Sequence, residues 1–167
     1  LLPDSQRALV VARTARLIEV ETGNVLWEQG LPSRLSRVWL NPTGESWFLL
    51  SSPRIGTSEV QFRSMIPGQE SQTLFSGGSV SLDGIMTTPD GTALVYLTKD
   101  GMLARRPLGG DRTESVVAHE QAPRHLTFSA DGDWLFTGGD DWRLRVWNAG
   151  TLEPVCFVRP ARASVSR

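Results

Sequence analysis

The chain has 167 residues, long enough to bury a core, and carries 17 basic against 18 acidic side chains. A net charge of −1 gives no electrostatic preference for nucleic acid or for an anionic membrane surface. The single cysteine, Cys156, excludes an internal disulfide, and together with two histidines it supplies no metal-ligand set, so neither a metal nor a cofactor is expected. The start, Leu1-Leu2-Pro3-Asp4, has no signal-peptide pattern, and the apolar runs are too short to span a bilayer. A cytoplasmic protein is expected.

One turn motif recurs along the chain at nearly even spacing, as Pro3-Asp4-Ser5, Pro42-Thr43-Gly44, Pro89-Asp90-Gly91 and Ala130-Asp131-Gly132. A later strand position recurs with it, held by Ile18, Arg63, Arg106 and Trp147. The steps from 18 to 63, from 63 to 106 and from 106 to 147 are 45, 43 and 41 residues. A period of roughly 40–45 residues built from short strands is that of a four-stranded propeller blade.

Each repeat ends in a turn and an outer strand, predicted at Val25–Gln29, Gln72–Ser76, Arg112–Ala118 and Pro154–Arg159. We therefore predict an all-β fold of about four antiparallel blades, at about 1–30, 31–76, 77–118 and 119–160, the first lacking its innermost strand. Residues 161–167 form a short basic tail. Blade one has a tightened turn near Arg13-Thr14, and blade two carries an enlarged loop, Ser51–Ser58.

Blade four carries the most informative pattern, between Ala118 and Gly150. A buried indole at Trp147 donates a hydrogen bond and accepts none, so it needs an acceptor nearby. The hydroxyl of Thr137, on the neighbouring strand, can accept from it and donate to His119. The other ring nitrogen of His119 can then donate to Asp141. Such a relay satisfies every buried polar group and ties one loop to three strands.

Residue by residue, this stretch resembles a WD repeat, the unit of a family of β-propellers. Ala118-His119 stands where the family has Gly-His, Phe128–Gly132 where it has Phe-Ser-Pro-Asp-Gly, and Trp147-Asn148 where it has Trp-Asp. The resemblance implies that His119, Thr137, Asp141 and Trp147 form the structural tetrad of these repeats. The other blades match less well, since Arg63 and Arg106 replace the tryptophan in blades two and three.

Propellers of this family are rings of seven or eight blades, and a ring leaves only short, protected edges. The chain is therefore expected to be part of a larger propeller. The remaining blades would come from the same chain or a second one, and a homodimer is one form of this. A self-closed ring of four blades is the alternative.

The resemblance implies a rigid scaffold that binds a protein partner on the face built by loops entering each innermost strand and joining the second and third strands. That face would comprise Arg34, Ser36, Arg54, Ser81, Asp83, Lys99, Ala122, Arg124 and Asp140. Two alternatives stay open: a sensory or regulatory domain of a larger signalling enzyme, such as a kinase or protease, and a propeller hydrolase or quinoprotein-like enzyme.

Several residues also have a purely structural interpretation. Thr137, His119 and Asp141 could form a catalytic triad, but the tetrad needs the same three side chains. His125 is interpreted as a packed core histidine. The six tryptophans are interpreted as core residues, because aromatic side chains are common in strands. Arg63 and Arg106 are expected to pack their stems between blades and direct their heads to solvent or a carboxylate.

Overall fold

The computed structural model describes residues 1–55, 57–66, 69, 71–77, 80–110 and 112–158, without the side chains of Ser36, Ser81, Leu82 and Asp83. The described residues form β-strands joined by turns and contain no helix, so none of their segments is a helix able to cross a bilayer. The chain divides into two compact units, Leu1–Ser79 and Val80–Arg167.

The first unit contains two antiparallel sheets, which correspond to blades one and two. Blade one has three strands in the order β1-β2-β3, and blade two has four in the order β4-β5-β6-β7. Their bounds are β1 Arg7–Val11, β2 Thr14–Glu19, β3 Val25–Gly30, β4 Leu35–Leu40, β5 Ser46–Ser51, β6 Ser58–Ser64 and β7 Gln72–Gly77.

Apolar side chains from both sheets form the core of the first unit. Leu17 of β2 packs with Trp47 and Leu49 of β5, all at most 3% exposed. The indole of Trp27 stacks on that of Trp47 at 6.2 Å and donates a hydrogen bond to the Met65 carbonyl at 3.0 Å. Fully burying side chains of this size contributes about 1.5–3 kcal/mol each. The enlarged loop of blade two lies in the connection 52–57, between β5 and β6.

Arg63, at the position that Trp147 holds in blade four, takes a different role from the one expected. Its guanidinium lies over the ring of Trp47 at 5.6 Å, and its Nη1 donates to the Gly30 carbonyl at 3.3 Å. Nη2 donates to Gln61 rather than to a carboxylate. Partial burial lowers the pKa of Arg63 below its ordinary value. At this position of blade two, a cation packed on an aromatic face therefore stands in place of the indole–hydroxyl hydrogen bond of blade four.

The second unit contains blades three and four, each a four-stranded antiparallel sheet. Blade three has the order β11-β10-β9-β8 and blade four the order β12-β13-β14-β15. Their bounds are β8 Val80–Thr87, β9 Ala93–Thr98, β10 Met102–Pro107, β11 Glu114–Val117, β12 Pro123–Phe128, β13 Trp134–Gly139, β14 Leu144–Asn148 and β15 Pro154–Val158.

Blades three and four share one apolar core. Leu97 and Leu103 of blade three pack with Leu126, Leu135 and Trp147 of blade four. On β13 only alternate side chains, Leu135 and Thr137, are fully buried, as expected for a strand that has one face against a core.

The predicted fold class is confirmed: the chain is all-β and its four sheets fit a partial propeller of about four blades, the first with three strands. The outer strand expected at Arg112–Ala118 is shorter, Glu114–Val117. The tail 161–167 lies outside the described residues.

Candidate functional site

The centre of blade four is a chain of hydrogen bonds between four side chains. The indole Nε1 of Trp147 donates to Thr137 Oγ1 at 2.9 Å, and His119 Nε2 lies 2.9 Å from the same hydroxyl. His119 Nδ1 lies 2.9 Å from Asp141 Oδ1. Thr137, His119 and Trp147 are between 0% and 3% exposed. The relay therefore links the loop before β12 to β13, to the turn after it and to β14.

The charge state of the histidine follows from its burial. Its Nε2 lies 2.9 Å from the Thr137 hydroxyl, and its Nδ1 lies 2.9 Å from Asp141 Oδ1 and 2.7 Å from Arg145 Nη1. Burial lowers the pKa of His119 below its ordinary value, although Asp141 opposes this effect. The ring is therefore neutral at pH 7.

Arg145 is a fifth participant that the sequence analysis did not identify. Its Nη1 donates to Asp141 Oδ2 at 2.7 Å. Burial acts to raise the pKa of Asp141, but hydrogen bonds from Arg145 and His119 outweigh it and lower the pKa to about 2. The buried carboxylate is thus ionised and paired, and its oxygens also accept from the backbone N–H of Arg143 at 3.1 Å.

Backbone hydrogen bonds beside the relay join three loops of the second unit. The Gly101 carbonyl, in the β9–β10 turn, accepts from the N–H groups of Ala118 and His119 at 2.8 and 3.0 Å. Gly101 has φ of +94°, and a Cβ there would lie 2.0 Å from the His119 carbonyl oxygen. Only glycine permits this approach. The Asp140 N–H donates to the Ala122 carbonyl at 3.0 Å. We call the loops 98–101, 118–122 and 139–143 the loop surface of the second unit.

The relay is poorly placed for nucleophilic catalysis. The Thr137 hydroxyl is fully buried, accepts from Trp147 and has no open approach for a substrate. Among the described residues, no group of three or more His, Cys, Asp and Glu side chains is arranged to hold a metal ion.

Two of the predicted partner-binding residues of the second unit, Arg124 on β12 and Asp140 in the loop 139–143, contact each other. Arg124 and Asp140 form a two-pronged ion pair, with Nη2 to Oδ2 at 2.6 Å and Nε to Oδ1 at 2.9 Å. Both side chains are largely exposed. Lys99 is exposed in the β9–β10 turn, and Ala122 supplies a carbonyl to the loop contact rather than a side chain. The side chains of Ser81 and Asp83 lie outside the described residues.

The other predicted partner-binding residues lie in the first unit. Arg34 has φ of +66° in the connection between β3 and β4, and its carbonyl accepts from the Ser52 N–H at 3.1 Å. Arg54, in the connection 52–57, is exposed, and its N–H and carbonyl both bond to Thr57 Oγ1. Ser36 lies in β4, with its side chain outside the described residues.

Two structural interpretations from the sequence were wrong. His125 is exposed on β12 rather than packed in the core, because its side chain alternates with that of the buried Leu126. Two of the six tryptophans are not core residues. Trp134 is 40% exposed at the start of β13, and Trp142 is 81% exposed with φ of +57°, in the turn between β13 and β14. The alternation that assigns core residues on strands does not apply in a turn, so the sequence pattern did not identify Trp142.

Residues 110–148 match the family model of the WD domain, G-beta repeat. This segment is similar to a WD repeat. It runs from just before β11, the outer strand of blade three, to β14. A mouse protein, Periodic tryptophan protein 2 homolog, is 41% identical over 51 residues, which is 28% of this chain and 5% of the mouse protein. The predicted family is confirmed, since the matched repeat and the four antiparallel sheets fit the WD-repeat propellers. Such domains are typically non-catalytic scaffolds for protein interaction.

Proposed function

We propose that this chain is a protein-interaction scaffold that binds a protein partner through the loop surface of the second unit. Loops on a rigid sheet framework commonly carry binding residues. The segment 110–148, which is similar to a WD repeat, contains two of the three loops that form this surface.

The rigidity of the loop surface carries the proposal. These loops are joined by the contact between His119 and Asp141 and by the hydrogen bonds that the Gly101 carbonyl accepts from the N–H groups of Ala118 and His119. A surface fixed before binding loses less conformational entropy when a partner docks. The exposed Lys99 and the Arg124–Asp140 pair then offer charges at defined positions.

Charge reversal at two positions tests this function. Proteins captured from cells by the Lys99→Glu, Arg124→Glu variant are compared quantitatively with those captured by the unaltered chain. Arg112→Glu is the matched control, because Arg112 is exposed in the β10–β11 connection at the opposite end of blade three. We expect a defined set of proteins to be lost with the double variant only. If the unaltered chain, the double variant and the control capture the same proteins in equal amounts, and their melting temperatures are equal, the loop surface is rejected as the docking site.

We also propose that the uncovered faces of the end sheets take up further blades. Val10 and Val20 in the first unit, and Leu144 and Val158 in the second, are between 41% and 51% exposed. Val10 lies on β1 and Val20 directly follows β2, whereas Leu144 and Val158 are paired across β14 and β15. Exposed apolar surface of this kind favours association.

A further inference from the structure

Trp142 combines exposure with a backbone conformation that its residue type rarely adopts. The side chain is 81% exposed, and φ is +57°, in the left-handed region. That region disfavours bulky side chains and suits glycine. A tryptophan at this position therefore does little to stabilise the fold, because its side chain buries little apolar surface and its backbone conformation is strained. Strained residues that persist on a surface are candidates for a binding role.

The turn around Trp142 is nevertheless held firmly. Its N–H donates to the Gly139 carbonyl at 3.2 Å, and the preceding Asp141 is fixed by His119 and Arg145. The next residue, Arg143, lies over the ring of Phe157 at 5.8 Å. The indole is thus presented from a rigid base, as is typical of aromatic anchors at protein interfaces.

The charges around Trp142 balance and are largely paired with one another. The segments 98–101, 118–124 and 139–145, which comprise the loops of this surface and the strand ends next to them, carry four basic and four acidic side chains: Lys99, Arg124, Arg143 and Arg145, and Asp100, Glu120, Asp140 and Asp141. Arg124 pairs with Asp140, Arg145 with Asp141, and Arg143 lies 3.7 Å from Glu120. A charged group of a partner, placed over the indole, would meet no net charge of opposite sign on the loop surface. An uncharged apolar side chain fits better.

We propose that Trp142 is the anchor of the loop surface and that it binds a protein segment through an uncharged apolar side chain, proline or aliphatic, laid on the indole face. This inference rests on the proposed scaffold function and names the contact that carries it. The ion pairs around the indole then form the polar rim that excludes water from the contact.

The probe is a phage-displayed library of random peptides of about twelve residues, selected on the full chain. Affinities of the selected peptides are then measured by calorimetry for Trp142→Gly and Trp142→Asn. Trp134→Ala is the matched control, since Trp134 is also a partly exposed tryptophan but lies at the other end of β13. We expect the selected peptides to be enriched in proline, leucine, isoleucine or valine. Their affinity for Trp142→Gly should be lower by about tenfold or more, and their affinity for Trp134→Ala should be unchanged. Trp142→Gly should melt at or above the temperature of the unaltered chain.

Other outcomes separate the two proposals. Peptides that bind Trp142→Gly normally but lose affinity for the Lys99→Glu, Arg124→Glu variant would overturn the anchor and leave the scaffold function standing. Failure to select any peptide that depends on the loop surface would count against both. A clearly lower melting temperature for both Trp142 variants would assign the indole a structural role instead.

Discussion

Replacing Thr137 by valine is the most direct perturbation of blade four. Valine keeps the shape of threonine, so no cavity forms, and only the hydroxyl is lost. The Thr137 hydroxyl accepts from the Trp147 indole and bonds to His119, both at 2.9 Å. After the change, the indole N–H loses its acceptor and the imidazole Nε2 loses its hydrogen-bond partner. Both groups stay buried, because Trp147 is 3% exposed and His119 1%.

The expected loss of stability follows from these two groups. A buried donor or acceptor left without a partner costs about 1–3 kcal/mol. Two such groups that can partly relax together should lower the free energy of unfolding by about 2–4 kcal/mol. A domain is stable by only about 5–15 kcal/mol, so the effect is large.

Urea unfolding at matched protein concentration measures this loss, with Thr127→Val as the control. Thr127 is exposed on β12 of the same sheet, and its replacement should alter stability by less than about 0.5 kcal/mol. Amide hydrogen exchange should show the loosening first in β12, β13 and β14. A Thr137→Val chain as stable as Thr127→Val would refute the relay as a source of stability.

Two further predictions follow from the same contacts. The pKa of His119 is lowered on folding, so its contribution to stability is full above its unfolded pKa of about 6.5 and is lost as pH falls below that value. The pKa of Asp141 falls from 3.8 to about 2, so its contribution is lost over that lower range as well. The free energy of unfolding should therefore decrease as the pH falls. The exposed-site variant His125→Gln should retain this pH dependence, and His119→Phe should reduce it. Gly101→Ala should destabilise the second unit by about 2 kcal/mol or more, since its Cβ would lie 2.0 Å from a carbonyl oxygen. Gly109→Ala is the control: its Cβ would meet no atom within 4 Å, so its melting temperature should be unchanged.

The repeat and the relay could both be argued from the sequence, because both depend on local chemistry at fixed spacing. Turn motifs such as Pro89-Asp90-Gly91 mark strand ends without any knowledge of tertiary packing. Trp147, Thr137, His119 and Asp141 have complementary donor and acceptor capacities, so their pairing could be argued from residue types alone.

The rest of the candidate site depends on geometry that sequence spacing does not encode. Arg124 and Asp140 were each expected on the binding face, but their mutual pairing follows from the register of β12 against β13. The left-handed backbone of Trp142 is a property of its turn. In the sequence, Arg145 has the pattern of an ordinary strand residue, and only the structure shows its hydrogen bond to Asp141.

The last prediction concerns the face of blade four that is turned away from blade three. Leu144 and Val158 are paired across β14 and β15 on this face and are 41% and 51% exposed. The corresponding pair in blade three is Leu103 with Val116.

The blade-three pair shows what such a face requires. Leu103 is fully buried against blade four, and Val116 packs at the edge of the same cluster. The repeat therefore indicates that the Leu144–Val158 pair needs an apolar sheet surface like the one that blade four offers to blade three. In its absence, we expect the isolated chain to self-associate through this face.

Replacing Leu144 and Val158 by lysine should weaken that association, because two charges would then be buried without partners. Sedimentation equilibrium over a range of concentrations measures the change. Val117→Lys is the control, since Val117 is 71% exposed on β11, away from this face, and its replacement should leave association unaltered. A chain that stays monomeric at all concentrations, or a double variant that associates as strongly as the unaltered chain, would show that the exposed pair needs no covering sheet.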